Sequence, residues 1–127
     1  MVSFRIGADK LDPDKITKVL GIKPSFSHKK GDLIGSSTNA RYPSGMWALE
    51  SPLPSNADVD VQLTDILNMI WLKLSRIKKL RKQGYEMDIA ISIVYSPGQH
   101  GFTLPAKLVE KLGKLGVDMQ FSIPALH

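Results

Sequence analysis

The chain has no cysteine, only three histidines, and aromatic side chains at 7% of its positions. Without thiols there is no disulfide, iron–sulfur cluster, thiolate zinc site or cysteine nucleophile. His28, His100 and His127 stand in neither H-x-H nor H-E-x-x-H spacing, so no metal and no cofactor is expected. Long apolar runs are missing as well; nothing approaches the ~20 residues that cross a bilayer. The opening residues, MVSFRIGADK, lack the basic and then apolar stretch of a secretory leader. These absences point to a soluble, cytoplasmic protein with no membrane contact. What is present is ordinary. The 127 residues are 43% hydrophobic and 23% charged, which suits one domain over 1–127.

Charge leans one way. Seventeen Lys and Arg against twelve Asp and Glu leave +5, which invites a nucleic-acid reading. Six of the cations, Lys73, Arg76, Lys78, Lys79, Arg81 and Lys82, crowd the end of the longest amphipathic run. Cations there complement a helix dipole, each worth roughly 0.3–1 kcal/mol at best. They are spread around the helix, only four of the seventeen are arginine, and no helix-turn-helix or zinc-finger pattern is present. A solvated, dipole-matched helix end is preferred to a nucleic-acid site.

Hydrophobic periodicity gives the elements. Val2, Phe4 and Ile6 alternate with polar positions, as in a strand with one buried face. Asp12 caps a helix that Pro13 opens; Leu11 and Ile16 form its staple, Val19 and Leu20 continue its stripe, and Gly21 ends it. From Ile22 to Gly45 the pattern dissolves, leaving either a short hairpin turning at Lys30-Gly31-Asp32 or a mobile functional loop. Met46 to Glu50 reads as a strand with Trp47 and Leu49 on one face.

One long helix is expected from Val59 to Gln83, started by Asp58 and Asp60, with Leu63, Ile66, Leu67, Ile70, Leu74 and Ile77 as its stripe. Tyr85 to Ser96 alternates as a strand, Pro97 to Gly101 turns, Leu104 to Leu115 is helical, and Val117 to Ile123 is the last strand. The order is β-α-β-α-β-α-β. Alternating strands imply a sheet covered on one side. The expected fold is α+β: a two-layer sandwich whose mixed sheet carries its helices mainly on one face. Pro13-Asp14-Lys15-Ile16 to Leu20-Gly21 echoes Pro105-Ala106-Lys107-Leu108 to Leu112-Gly113, which leaves a β-α-β pseudo-repeat open.

Several segments in order carry a resemblance. They are Ser3-Phe4-Arg5-Ile6, Leu11-Asp12-Pro13-Asp14 with Ile16, Leu20-Gly21-Ile22-Lys23-Pro24, Lys30-Gly31-Asp32, Trp47-Ala48-Leu49-Glu50-Ser51, Gly101-Phe102-Thr103-Leu104 and Leu115-Gly116-Val117-Asp118. Together they resemble the bacterial domain-of-unknown-function 4279 family over nearly the whole chain. The resemblance implies a small bacterial cytosolic α+β protein and transfers no catalytic residue. Family members often place a serine before the proline of the last helix; here Leu104 precedes Pro105, so Thr103 is the expected cap.

Catalytic patterns are thin. There is no G-x-S-x-G elbow, and Gly31 to Thr38 is one residue short of a phosphate loop and lacks its lysine. Glu86 and Asp88 share a strand face, read as solvated or covered by a partner rather than as an acid/base pair.

Two sets of residues remain. Met69, Trp71 and Leu72 lie off the stripe of the long helix and are interface candidates, with packing beneath the 22–45 loop as the plainer reading. The polar side of the sheet, at Ala90, Ser92 and Val94, is a second candidate surface. His28, Lys29, Lys30, Asp32, Arg41, Trp47 and Glu50 supply the groups a small anionic ligand needs, against a plain turn at Lys30-Gly31-Asp32 with Trp47 in the core. The preferred expectation is a non-enzymatic binding or regulatory module acting through protein–protein contacts. It would pair with itself as a homodimer or, by analogy, with a partner of the immunity or antitoxin kind. The alternatives are a small-ligand binder or unrecognised enzyme on the 22–50 segment, and nucleic-acid association through Lys73–Lys82.

Overall fold

The alternation at the start of the chain forms β1 (Val2–Ala8), in which Val2, Phe4 and Ile6 are fully buried while Ser3 and Arg5 point the other way. A computed structural model describes residues 1–36, 39–93, 98 and 101–123. It places β1 at the centre of a five-stranded sheet with β2 (Phe26–His28), β3 (Gly45–Glu50), β4 (Glu86–Ser92) and β5 (Asp118–Ser122), in the order β2-β3-β1-β4-β5. β1 runs antiparallel to both β3 and β4, and β5 runs parallel to β4. The registers set Leu49, Phe4, Ile89 and Met119 in one row across the sheet. On that face lie the apolar stripes of α1 (Pro13–Leu20), α2 (Val59–Ile70), α3 (Leu74–Lys82) and α4 (Ala106–Leu115), which join β1, β3 and β4 in a single core. The fold is α+β with a mixed sheet.

The order departs from the expected one by a strand. β2 is three residues long and two of them are exposed, too short for a period of two to stand out. It pairs with β3, so the 22–45 segment contains a hairpin. The reversal is not at Lys30-Gly31-Asp32, where the Asp32 amide, donating to the Lys29 carbonyl at 3.1 Å, only bends the first arm. The Leu33–Arg41 bridge and the Ile34 amide on the Ala40 carbonyl at 2.9 Å carry the pairing on, so the chain returns between Ile34 and Ala40. Ser37 and Thr38 lie outside the described residues, as do Val94, Tyr95, Ser96, Pro97, His100 and His127.

Helix starts follow the sequence unevenly. Asp12 accepts from the Asp14 amide at 3.1 Å, with Pro13 in the first turn, as expected. Asp58 occupies the start of α2 but makes no side-chain cap. Buried Gln62 ties that end down instead, donating to the Ala57 carbonyl at 2.8 Å and accepting from the Val2 amide at 3.0 Å. Thr103 does not cap α4; Pro105 stands at its start, and the Pro105 carbonyl accepts from Leu108 and Val109.

The single long helix is corrected to two. A 3₁₀ turn over Trp71–Lys73 separates α2 from α3. In a straight α-helix Leu80 would lie about 100° round from Leu63. Three residues wound at three per turn advance the second half by about 60° and return Leu80 to the core side. Ile77 and Leu80 are buried, whereas Leu72, in the turn, is 90% exposed.

The cations of α3 acquire a use. Gly21 and Gly116, at φ +66° and +72°, end α1 and α4 in the left-handed conformation. Arg76 donates to the Val19 carbonyl at 2.9 Å, and Arg81 to the Leu115 carbonyl at 3.2 Å. Each satisfies a carbonyl left without a partner at a helix C-terminus and sets a positive charge at the negative end of the dipole. α3 thus clamps the ends of α1 and α4. The echo between the two helices is incomplete: Gly21 ends α1 but Gly113 lies within α4. Although each helix joins two parallel strands, β4 and β5 are neighbours whereas β3 stands between β1 and β2.

Arg76→Ala and Arg81→Ala should each lower the unfolding free energy by about 1 kcal/mol. Lys78→Ala and Lys79→Ala, whose side chains are exposed, should stay within about 0.5 kcal/mol of the parent in urea titrations.

Candidate functional site

The face opposite the core carries no helix among the described residues, and the registers show what lines it. One row runs Phe26, Ala48, Arg5, Asp88, Asp118; its neighbours run His28, Met46, Gly7, Glu86 and Glu50, Ser3, Ala90, Gln120. Arg5 is the fixed point. Its Nε donates to Asp88 Oδ1 at 2.8 Å and its Nη2 to Asp88 Oδ2 at 2.6 Å, a two-pronged pair, and Nη2 also reaches Gln120 Oε1. The network joins β1, β4 and β5. The hydrogen bond to Asp88 and its charge raise the Arg5 pKa above its ordinary value, against a smaller opposing effect of burial.

Beside this network an open cleft of about 570 Å³ runs to the end of the sheet. Arg5, Glu86, Asp88 and Asp118 line its floor, with Met46, Tyr85 and Arg81 around them. Asp118 stands opposite Asp88 in the parallel pair, and only Asp88 is neutralised by Arg5. Among the described residues no group of three or more His, Cys, Asp or Glu could hold a metal ion. The cleft offers carboxylates and a tethered guanidinium, groups that bind charged or hydrogen-bonding partners.

Charge is divided between the two sides of the molecule. The open face carries Glu50, Glu86, Asp88 and Asp118 against Arg5 alone. The helices and the turn between α2 and α3 carry eleven basic side chains against Asp14, Asp60, Asp65 and Glu110. A chain of net charge +5 therefore presents an acidic sheet face.

None of the seven ligand candidates lines the cleft: His28, Lys29, Lys30, Asp32 and Arg41 share the 28–42 hairpin, while Trp47 and Glu50 lie apart from it. Lys30 pairs with Asp9 at 3.0 Å, and Asp32 accepts from the Lys29 amide at 2.8 Å. Arg41 donates to the Gly31 carbonyl at 2.7 Å. His28 is buried and stacks on Tyr42, their ring centroids 3.5 Å apart, with Phe26 edge-on. Trp47 sits in the core on the far side of the sheet, its Nε1 donating to Thr17 Oγ1 at 3.0 Å, while Glu50 lies on the open side. Of the interface candidates, Met69 and Leu72 are exposed and Trp71 is half-buried beneath Lys111, whose Nζ lies 5.4 Å from the ring centre.

Sequence reasoning missed Arg5, Gln120 and Asp118 as site residues, and placed Arg81 only among the cations of the helix end. A lone arginine inside an alternating strand is a signal in itself. Its partner, however, is 83 positions away and only the strand register identifies it.

A double-mutant cycle of Arg5→Ala and Asp88→Ala should give a coupling of about 1 kcal/mol, since the pair is two-pronged but partly solvated. Arg5→Lys, which keeps the charge and loses the fork, should recover less than half of it in the same denaturation assay.

No curated protein and no solved structure matches the chain. A family model described as Domain of unknown function (DUF4279) matches residues 1–126, and the chain belongs to that family.

Proposed function

We propose that the chain is a non-enzymatic, cytosolic binding or regulatory module that acts through protein–protein contacts, with the open sheet face as its contact surface. The observation that carries this reading is the uncovered face itself, rigid at its centre through Arg5, Asp88 and Gln120 and acidic in an otherwise basic protein. A sheet side that carries no helix among the described residues and is buttressed by an ion-paired network needs little further ordering before it binds, which lowers the entropic cost of association. Its charge favours a partner that is basic where it touches Glu86 and Asp118. The cations at Lys73–Lys82 argue less for nucleic acid, because Arg76 and Arg81 are already engaged at helix ends.

Affinity capture from the source cell's extract, comparing the parent with Glu86→Lys/Asp118→Lys, tests this. A protein retained by the parent should be lost with the double variant and kept by Lys78→Glu/Lys79→Glu. Calorimetry on the purified pair should then show affinity falling at least about tenfold for the double variant. Retention that ignores the sheet-face substitutions, or follows the helix-face ones, overturns the reading.

A further inference from the structure

β5 is the outer strand of the sheet, and it lacks the devices that usually protect an edge. Residues 117–123 contain no lysine and no proline, and the pairing with β4 is continuous from Asp118 to Ser122, with no bulge. The opposite edge, β2, is only three residues long and has Lys23, Lys29 and Lys30 around it. Along β5, Phe121 is 47% and Ile123 77% exposed, and Phe102 stacks on Phe121 at 6.2 Å.

The helix above continues this lysine-free border. Lys111 packs over Trp71, so that flank of α4 faces the other helices. The opposite flank, round from the stripe of Leu108, Leu112 and Leu115, carries Ala106, Val109 and Gly113, all exposed. A β-carbon at Gly113 would meet nothing within 4 Å.

We infer that this border is a homodimer interface, in which β5 pairs antiparallel with β5 of a second copy across a two-fold axis at Gln120. The inference rests on the reading of the chain as a protein-contact module and names one partner. Backbone direction sets the register. The Ser122 carbonyl accepts from the Ile93 amide at 2.9 Å, so even-numbered residues turn their peptide groups toward β4. Met119, Phe121 and Ile123 turn theirs to the free edge. The two-fold at Gln120 then sets Met119 against Phe121 of the second copy, two residues whose amides and carbonyls both face outward.

The side chains agree with that register. Val117 meets Ile123, Met119 meets Phe121 and Gln120 meets Gln120. The strand's only charge, Asp118, meets neutral Ser122, so no like charges oppose each other. Self-pairing joins two five-stranded sheets into one, removes the exposed edge, and extends the acidic face across both copies.

Sedimentation velocity up to about 100 µM should show a dimer. Ile123→Lys should raise its dissociation constant at least about tenfold while leaving the thermal melt in place at concentrations low enough for the parent to be monomeric, because the monomer's fold does not bury that side chain. The cysteine-free chain permits a positional check. Under oxidising conditions Gln120→Cys should cross-link to its own copy, because directly opposed non-hydrogen-bonded pairs lie within disulfide reach. Ser122→Cys, opposite Asp118 rather than itself, should cross-link at least about tenfold more slowly. A monomer at the highest concentration, equal dimerisation by Ile123→Lys, or equal cross-linking by the two cysteine variants overturns the inference. A monomer that still retains a partner through Glu86 and Asp118 removes the dimer alone. A dimer that retains none removes the open-face reading alone.

Discussion

Everything in this molecule hangs on the alternation of β1. As the central strand, hydrogen-bonded to β3 on one side and β4 on the other, it must send its side chains to two different environments. Val2, Phe4 and Ile6 occupy the core, so Ser3, Arg5 and Gly7 are committed to the other side. The neighbouring strands inherit that choice through register, and a one-residue slip would invert it. With Arg5 on the outer side, a covering helix there would have to bury a guanidinium and its carboxylate. The helices gather on one face, and among the described residues none covers the other.

The same constraint sorts the charge. On the helical side the cations of α3 do mechanical work, since Arg76 and Arg81 hold the exposed carbonyl ends of α1 and α4. On the sheet side a single arginine is surrounded by carboxylates and anchors one of them. A net charge of +5 hides this division, which resides in the arrangement and not in the total.

How much was legible can be judged from particular elements. The strand at Val2, the helix from Asp12 to Gly21 and the strand at Trp47 announce themselves through period and capping chemistry, which act over a few residues. β2 escaped because three residues hold too little period to read. The break at Trp71 escaped because the drift that requires it accumulates over seventeen positions, from Leu63 to Leu80. The candidate ligand set on 22–50 was assembled from chemistry-bearing residues near one another in sequence. In space Trp47 and Glu50 fall on opposite sides of the sheet, because three positions apart in a strand is an odd step. Glu86 and Asp88, two apart, did share a face as their spacing implied. Arg5 and Asp118, their neighbours from distant strands, could not be read beside them.

The sequence by itself determined the class of the fold, the buried side of each long strand, the absence of thiol chemistry and the family. Those properties depend on composition and on patterns a few residues long. Only the tertiary structure decided which strand pairs with which, that α3 serves as a clamp, and that Glu86, Asp88 and Asp118 line one cleft with Arg5. It alone decided that, among the described residues, β5 ends the sheet. Pairing between strands is a long-range choice, made by how the helices cover the core, and no local pattern in β5 records that it is the outermost of the described strands.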